Sequence, residues 1–332
     1  MALIRLLGVA SLVSALLLAG CTGHADDSGT VLVAGTSTIG PSDTPAWLAD
    51  GMVYYLAAVG GESDSPLHLY RTPADGKGKA REIHLSGVTF CRIPYLTSLR
   101  RLPDGGLGAV LVCAQEDGSA TLVSIDPASG RVAKISGLYG GDDGIWSTAE
   151  NKGWSAYSQD GCASIEPIDR KGWSAVPPLE PASLLPWDLD ADFAAGAGDC
   201  TPRGMIGFPA AAPTMDRIVV LASPEAAGVD PGDLGDGRKD LPWHLYGIDL
   251  ASRQIRQIGG SFVEPKGIAV AGGTALVTAR QGLYAVDLAS GATRTIAEGD
   301  FGAPGLSPDG RSAVFVKFPD PGYPKLLKRE IS

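Results

Sequence analysis

The chain has 332 residues, 44% of them hydrophobic, which is enough for a large buried core. Its 27 basic and 37 acidic residues leave a formal net charge of -10, which excludes the basic stripe that a general nucleic-acid surface needs. Gly 45 and Pro 24 are what many tight turns between short strands require.

In chain order, the first element is a targeting segment. Arg5 supplies a positive charge, residues 6–18 form an apolar run too short for a bilayer span, and Leu18-Ala19-Gly20-Cys21 follows. That ending resembles the lipobox of bacterial lipoproteins. The resemblance implies that residues 1–20 are removed and that Cys21 becomes an acylated first residue, carrying palmitate-like chains. Several acyl chains hold a protein stably where one would be marginal. Residues 21–29 then read as a tether, and residues 30–332 as one folded domain on the outer side of a cell membrane or envelope.

Two phrases recur in that domain. The first is a turn before a strand: Asp50-Gly51, Asp104-Gly105 and Asp309-Gly310, each followed by an apolar run. The second is a strand before a turn: Leu122 to Asp126, Leu245 to Asp249 and Leu283 to Asp287. Repetition of short strands at this period predicts an all-β propeller. Six copies of a four-strand unit, strands a to d, can be aligned. The b strands are expected at 52–56, 109–113, 154–157, 217–221, 275–278 and 313–317. The c strands are expected at 67–72, 122–126, 163–169, 244–249, 283–287 and 325–330. Strand d reads at 131–135, 254–258 and 293–296. The last unit runs out after strand c, and the spare apolar run Thr30 to Ala34 is expected to supply its strand d. That closes the ring and removes an exposed edge.

Ser307-Pro308-Asp309-Gly310 and the Leu-Tyr-x-x-Asp strands resemble the propeller repeats of TolB-type and WD-repeat-like proteins, over most of residues 30–332. The resemblance implies the fold but no one activity, because propellers host enzymes, scaffolds and binding modules alike.

In such a blade the a–b and c–d turns share one face, and the b–c and d–a connections share the other. Long segments near 176–203 and 223–243 belong to the second face, where binding is expected. Cys91, Cys113, Cys162 and Cys200 also belong toward it. An even number of cysteines in an exported chain favours disulfides. Of the three connectivities, Cys91 with Cys113 and Cys162 with Cys200 would staple long connections to neighbouring blades. The candidate binding face comprises Trp187, Asp188, Asp190, Asp192, Asp233, Asp236 and Trp243. The D-x-D-x-D spacing of 188–192 suits Ca²⁺, although Phe193 stands where a calcium loop needs Gly; no other cofactor is expected.

No nucleophile elbow, P-loop or dinucleotide fingerprint occurs. His68 and His244 fall in opposite blades, and the aspartates ending strand c read as turn acceptors. The reading is therefore a monomeric, lipid-anchored module that binds an envelope protein, a peptide or a glycan and no nucleic acid. The alternative is a metal-dependent propeller hydrolase or lyase of the lactonase kind.

Overall fold

The computed structural model describes residues 29–36, 39–41, 45–59, 67–89, 94–102, 105–113, 120–137, 145–149, 152–159, 162–169, 205–211, 217–223, 240–249, 254–319 and 322–331. The chain is nearly all β. Strand β1 (Thr30–Ala34) is followed by a sheet of β2 (Ile39–Pro41), β3 (Ala46–Trp47), β4 (Met52–Val59), β5 (Leu67–Pro73) and β6 (Arg81–Glu82). The second sheet holds β7 (Pro94–Arg101), β8 (Leu107–Cys113), β9 (Ala120–Ile125) and β10 (Val132–Gly137). The third holds β11 (Ile145–Ala149), β12 (Lys152–Gln159) and β13 (Cys162–Asp169). The fourth holds β14 (Met205–Ala211), β15 (Arg217–Ser223), β16 (Pro242–Asp249) and β17 (Ile255–Val263). The fifth holds β18 (Gly267–Ala271), β19 (Thr274–Ala279), β20 (Gly282–Asp287) and β21 (Thr293–Glu298). The last holds β22 (Gly305–Leu306), β23 (Ser312–Lys317) and β24 (Lys325–Glu330), and β1 pairs with β24 as its outer strand.

All the strand pairs that build these sheets are antiparallel, as short hairpin connections demand. The second strand of a sheet is the most buried. β8 is buried at every position, and β19 and β23 at all but one. A strand covered on both faces reads as a continuous apolar run rather than as an alternation. This is why Ala109-Val110-Leu111-Val112 and Ala313-Val314-Phe315-Val316 stood out in the sequence.

The cores lie between sheets. One joins Tyr54, Leu56 and Leu69 of the first sheet to Leu96, Leu107 and Leu111 of the second. Another joins the fourth and fifth sheets through Leu221, Leu245, Phe262, Ile268 and Val277. The fifth and last sheets share Leu276, Leu283, Phe301 and Phe315, where the two Phe rings meet edge to face at 5.0 Å. A further core joins Leu32, Val314 and Leu326 of the last sheet to Trp47, Val53 and Tyr55 of the first. Strands of neighbouring sheets lie side by side: β22 beside β3, β3 beside β7, β11 beside β14, β14 beside β18, and β18 beside β22.

The turn aspartates hold their turns. Asp126 accepts from the Ala128 amide at 2.9 Å and from the Ser129 hydroxyl at 2.7 Å. Asp287 does the same with Ala289 and Ser290, and Asp309 with Ser307 and Arg311. Each bond favours the carboxylate, so the pKa values of Asp126, Asp287 and Asp309 lie below the ordinary range. Gly130 completes its turn at φ 69°, and a Cβ there would lie 2.1 Å from the His84 carbonyl oxygen of the preceding sheet. Only glycine meets both conditions.

Arginines tie one sheet to the next. Arg71 of β5 donates to the Pro127 carbonyl in the turn after β9, and Arg256 of β17 donates to the Leu288 carbonyl after β20 at 2.6 Å. The same device thus recurs in the first and fourth sheets, each time reaching the c–d turn of the following sheet.

Candidate interaction face

Backbone bonds divide the turns between two faces. The Ala74 amide donates to the Gly51 carbonyl, Leu288 to Gly273 and Ile331 to Arg311. In two sheets, therefore, the a–b and c–d turns lie side by side on one face, and in the last sheet the end of β24 lies beside the a–b turn. The b–c and d–a connections leave from the other. There, segment 224–239 joins the facing ends of β15 and β16; segment 170–204 instead follows Asp169, which pairs with Lys152 beside the a–b turn of the third sheet, and ends at Met205 opposite Ser223 on the b–c side.

The expectation that this face carries only long connections does not hold for the fifth sheet. Arg280 and Gln281 alone join β19 to β20, and residues 264–266 alone link β17 to β18. This compact corner carries an ion-pair network. Arg280 Nε donates to Glu264 Oε2 at 2.8 Å, and its NH1 donates to Asp240 Oδ1 at 2.7 Å. The Arg280 amide also donates to the Val263 carbonyl, so backbone and side chain pin the same turn. Hydrogen bonds first to Glu264 and then to Asp240 raise the guanidinium's pKa above its ordinary value. Beside it, Lys266 pairs with Asp300.

Glu264 has a φ of 49°, the one positive φ at a non-glycine among the described residues. A backbone held in that region marks a place where the surroundings over-determine the conformation. Here the bond to Arg280 does so. Asp240 follows segment 224–239, so the network ties the base of that segment to the two-residue turn Arg280-Gln281.

The sequence-predicted residues divide as follows. Trp187, Asp188, Asp190, Asp192, Asp233 and Asp236 lie outside the described residues, as do Cys21, Cys91 and Cys200. Cys113 ends β8, is buried at 3% exposure and is disulfide-bonded. Cys162 begins β13. Trp243 is corrected: it is 8% exposed and packs with Val219, Leu221, Leu245 and Phe262 in the core, so it is not an exposed aromatic contact. Its position at the start of β16 opposite Phe262 places it between the fourth and fifth sheets. Arg280 and Glu264 were missed. The signal that could have found them is the two-residue hairpin Arg280-Gln281, too short to be anything but a fixed corner.

The histidines do not converge. His68 Nδ1 lies 2.8 Å from Glu82 Oε1, whereas His244 Nδ1 lies 3.2 Å from Gln257 Nε2 in a different sheet. Among the described residues no group of three His, Cys, Asp or Glu is placed to hold a metal ion. No helix among them is long and apolar enough to cross a membrane.

No protein-family model matches the chain, and no curated protein matches it. Solved structures do. A putative TolB from Agrobacterium tumefaciens superposes with a TM-score of 0.52 at 13% identity, covering 91% of this chain and 94% of that one. An oligogalacturonate lyase in complex with manganese superposes with a TM-score of 0.51 at 10% identity, covering 89% of this chain and 90% of that one. At such identities the likeness shows the fold alone, a TolB-like β-propeller.

Proposed function

We propose that this protein is a lipid-anchored component of the cell envelope whose propeller is a binding or scaffolding module for a protein partner. In this reading Cys21 is the acylated residue, and the six sheets are blades of one ring, with β1 supplying the outer strand of the last blade. The pairing of β1 with β24 and the core shared by the last and first sheets support that ring.

The observation that carries the functional reading is the clamp at the base of segment 224–239. Asp240, Arg280 and Glu264 tie the end of a long acidic connection to the two-residue turn Arg280-Gln281 on the b–c face. A variable connection held at a fixed base is how rigid scaffolds present binding surface. The disulfide pairs Cys91–Cys113 and Cys162–Cys200 would add staples on the same face, and peptide mapping without reductant tests them.

The test is affinity capture from solubilised envelope with the intact chain and with variants in which 224–239 or 176–203 is replaced by a short Gly-Ser link. Loss of a stoichiometric protein partner supports the reading; unchanged partners after both replacements refute it. The second reading is a metal-dependent lyase or hydrolase, favoured by the fold shared with a manganese-bound lyase. Titration calorimetry with Mn²⁺ and Ca²⁺ on the variant lacking 176–203 separates the two, since with the 188–192 aspartates gone only the second reading expects saturable binding of one ion.

A further inference from the structure

The place where the chain enters the fold orients it against the lipid. This inference rests on the reading of Cys21 as the acylated residue. β1 runs antiparallel to β24, with Thr30 opposite Lys328 and Ala34 opposite Lys325. The far end of β24 meets the a–b turn, since the Ile331 amide donates to the Arg311 carbonyl. Gly29 therefore leaves the domain on the short-turn face, at its outer edge.

The next hairpin along that edge is the c–d turn of the first sheet. A Cβ on its Gly76 would lie 3.5 Å from Thr30 Cγ2, so this turn flanks the point of entry. It carries Lys77, Lys79 and Arg81, all exposed. Asp75, which accepts from the Lys77 amide at 2.9 Å, and Glu82, which faces His68, share the turn, so its three cations exceed its carboxylates by one; Glu330 holds Lys328. Val31, 48% exposed, is one of two large apolar side chains among the described residues left open to solvent. It follows Thr30 in β1, on the face of the strand opposite Leu32.

Length restricts the alternatives. The eight steps from Cys21 to Gly29 reach at most about 29 Å. A strand such as β4, with 8 residues, spans about 27 Å of the disc. To bring the b–c face to the lipid, the tether would have to run nearly fully stretched along the whole rim. Placing the short-turn face on the lipid needs no such stretch.

We propose that the edge of the short-turn face beside Gly29, and not the aspartate-bearing turns of the other sheets, lies on an anionic lipid surface, with Lys77, Lys79 and Arg81 among the headgroups. The b–c face, where β15 and β16 are joined through segment 224–239, then points away from the membrane toward partners. Each basic residue near an anionic surface strengthens the contact by about fivefold at ordinary ionic strength, and the effect fades within a Debye length of about 8 Å.

The test uses the full, acylated chain in vesicles of phosphatidylglycerol with phosphatidylcholine and in vesicles of phosphatidylcholine alone. Amine labelling is read by mass spectrometry at Lys77, Lys79 and, as the control at the opposite end of β24, Lys325. The expected result is labelling of Lys77 and Lys79 slowed by about fivefold in the anionic vesicles, reversed near 1 M salt, with Lys325 unchanged. Acylated protein in which Lys77 and Lys79 label as in phosphatidylcholine, or in which Lys325 is the protected residue, overturns the orientation alone. Absence of acyl mass on Cys21 overturns the anchor and the orientation together.

Discussion

Leu32 tests whether β1 is part of the structural ring or an ornament on its edge. It is 9% exposed and packs with Val314 and Leu326 of the last sheet and with Trp47, Val53 and Tyr55 of the first. Leu32→Ala removes about three carbons' worth of buried hydrocarbon, about 2.4 kcal/mol at ~0.8 kcal/mol per methylene. The cavity term adds to this, and measured Leu→Ala losses run from about 2 to 5 kcal/mol. An outer strand can settle partly into the gap, so the expected loss is about 2–3 kcal/mol. Its neighbour Val31 is 48% exposed on the other face of the same strand, so Val31→Ala is expected to cost under about 0.5 kcal/mol. The assay is urea unfolding of the full chain followed by tryptophan fluorescence, with thermal unfolding as a check. A loss of 2–3 kcal/mol corresponds to a drop in Tm of about 5 °C. Equal, small effects at both positions would refute the argument that Leu32 seals the last sheet against the first.

Three further outcomes are expected. Phe301→Ala, which opens the seam between the fifth and last sheets at a ring 1% exposed, should cost about 3–5 kcal/mol in the same unfolding assay. Gly130→Ala should cost about 2–4 kcal/mol, because a Cβ there meets the His84 carbonyl and φ is positive. Gly105→Ala, at φ 84° with open space around it, should cost only the backbone strain of about 1–2 kcal/mol. On acidification, stability should hold above about pH 5 and fall progressively as pH drops below about 4. The sign follows from Asp126, Asp287, Asp309 and Glu330, whose pKa values are depressed in the folded state. In that window the unfolded chain binds more protons, so stability rises with pH. Asp287→Asn combined with Asp309→Asn should flatten the slope measured by denaturant titration at several pH values, and an unchanged slope would count against the turn bonds as its source.

The central strands were legible in the sequence because burial on both faces turns them into apolar runs. The runs at 109–113 and 313–317 fall inside β8 and β23, and 283–287 inside β20. The turns were legible for a different reason: Asp126 to Gly130 and Asp287 to Gly291 close on their own backbone, so the chemistry is local. The inner strands were not legible. β3 and β22 are only two residues long, too short for any period to register. The first sheet goes further and meets β4 with two separate pieces, β2 and β3.

Trp243 shows the same limit at the level of a site. Beside an acidic segment it reads as either a core residue or a contact on the binding face, and Val219, Leu221 and Phe262 bury it. Those partners lie on other strands, and no local pattern identifies them. The arginines that join the sheets are equally silent, because Arg71 and Arg256 bond to carbonyls, and every residue has one.

The chain by itself determined its central strands, its turns and the order of its repeats, since each rests on contacts between residues close in sequence. Tertiary structure alone decided which sheets share a core, where Trp243 is buried, and how Asp240, Arg280 and Glu264 meet. Those outcomes depend on the angle and register at which one sheet packs on the next, which no local stretch of sequence contains.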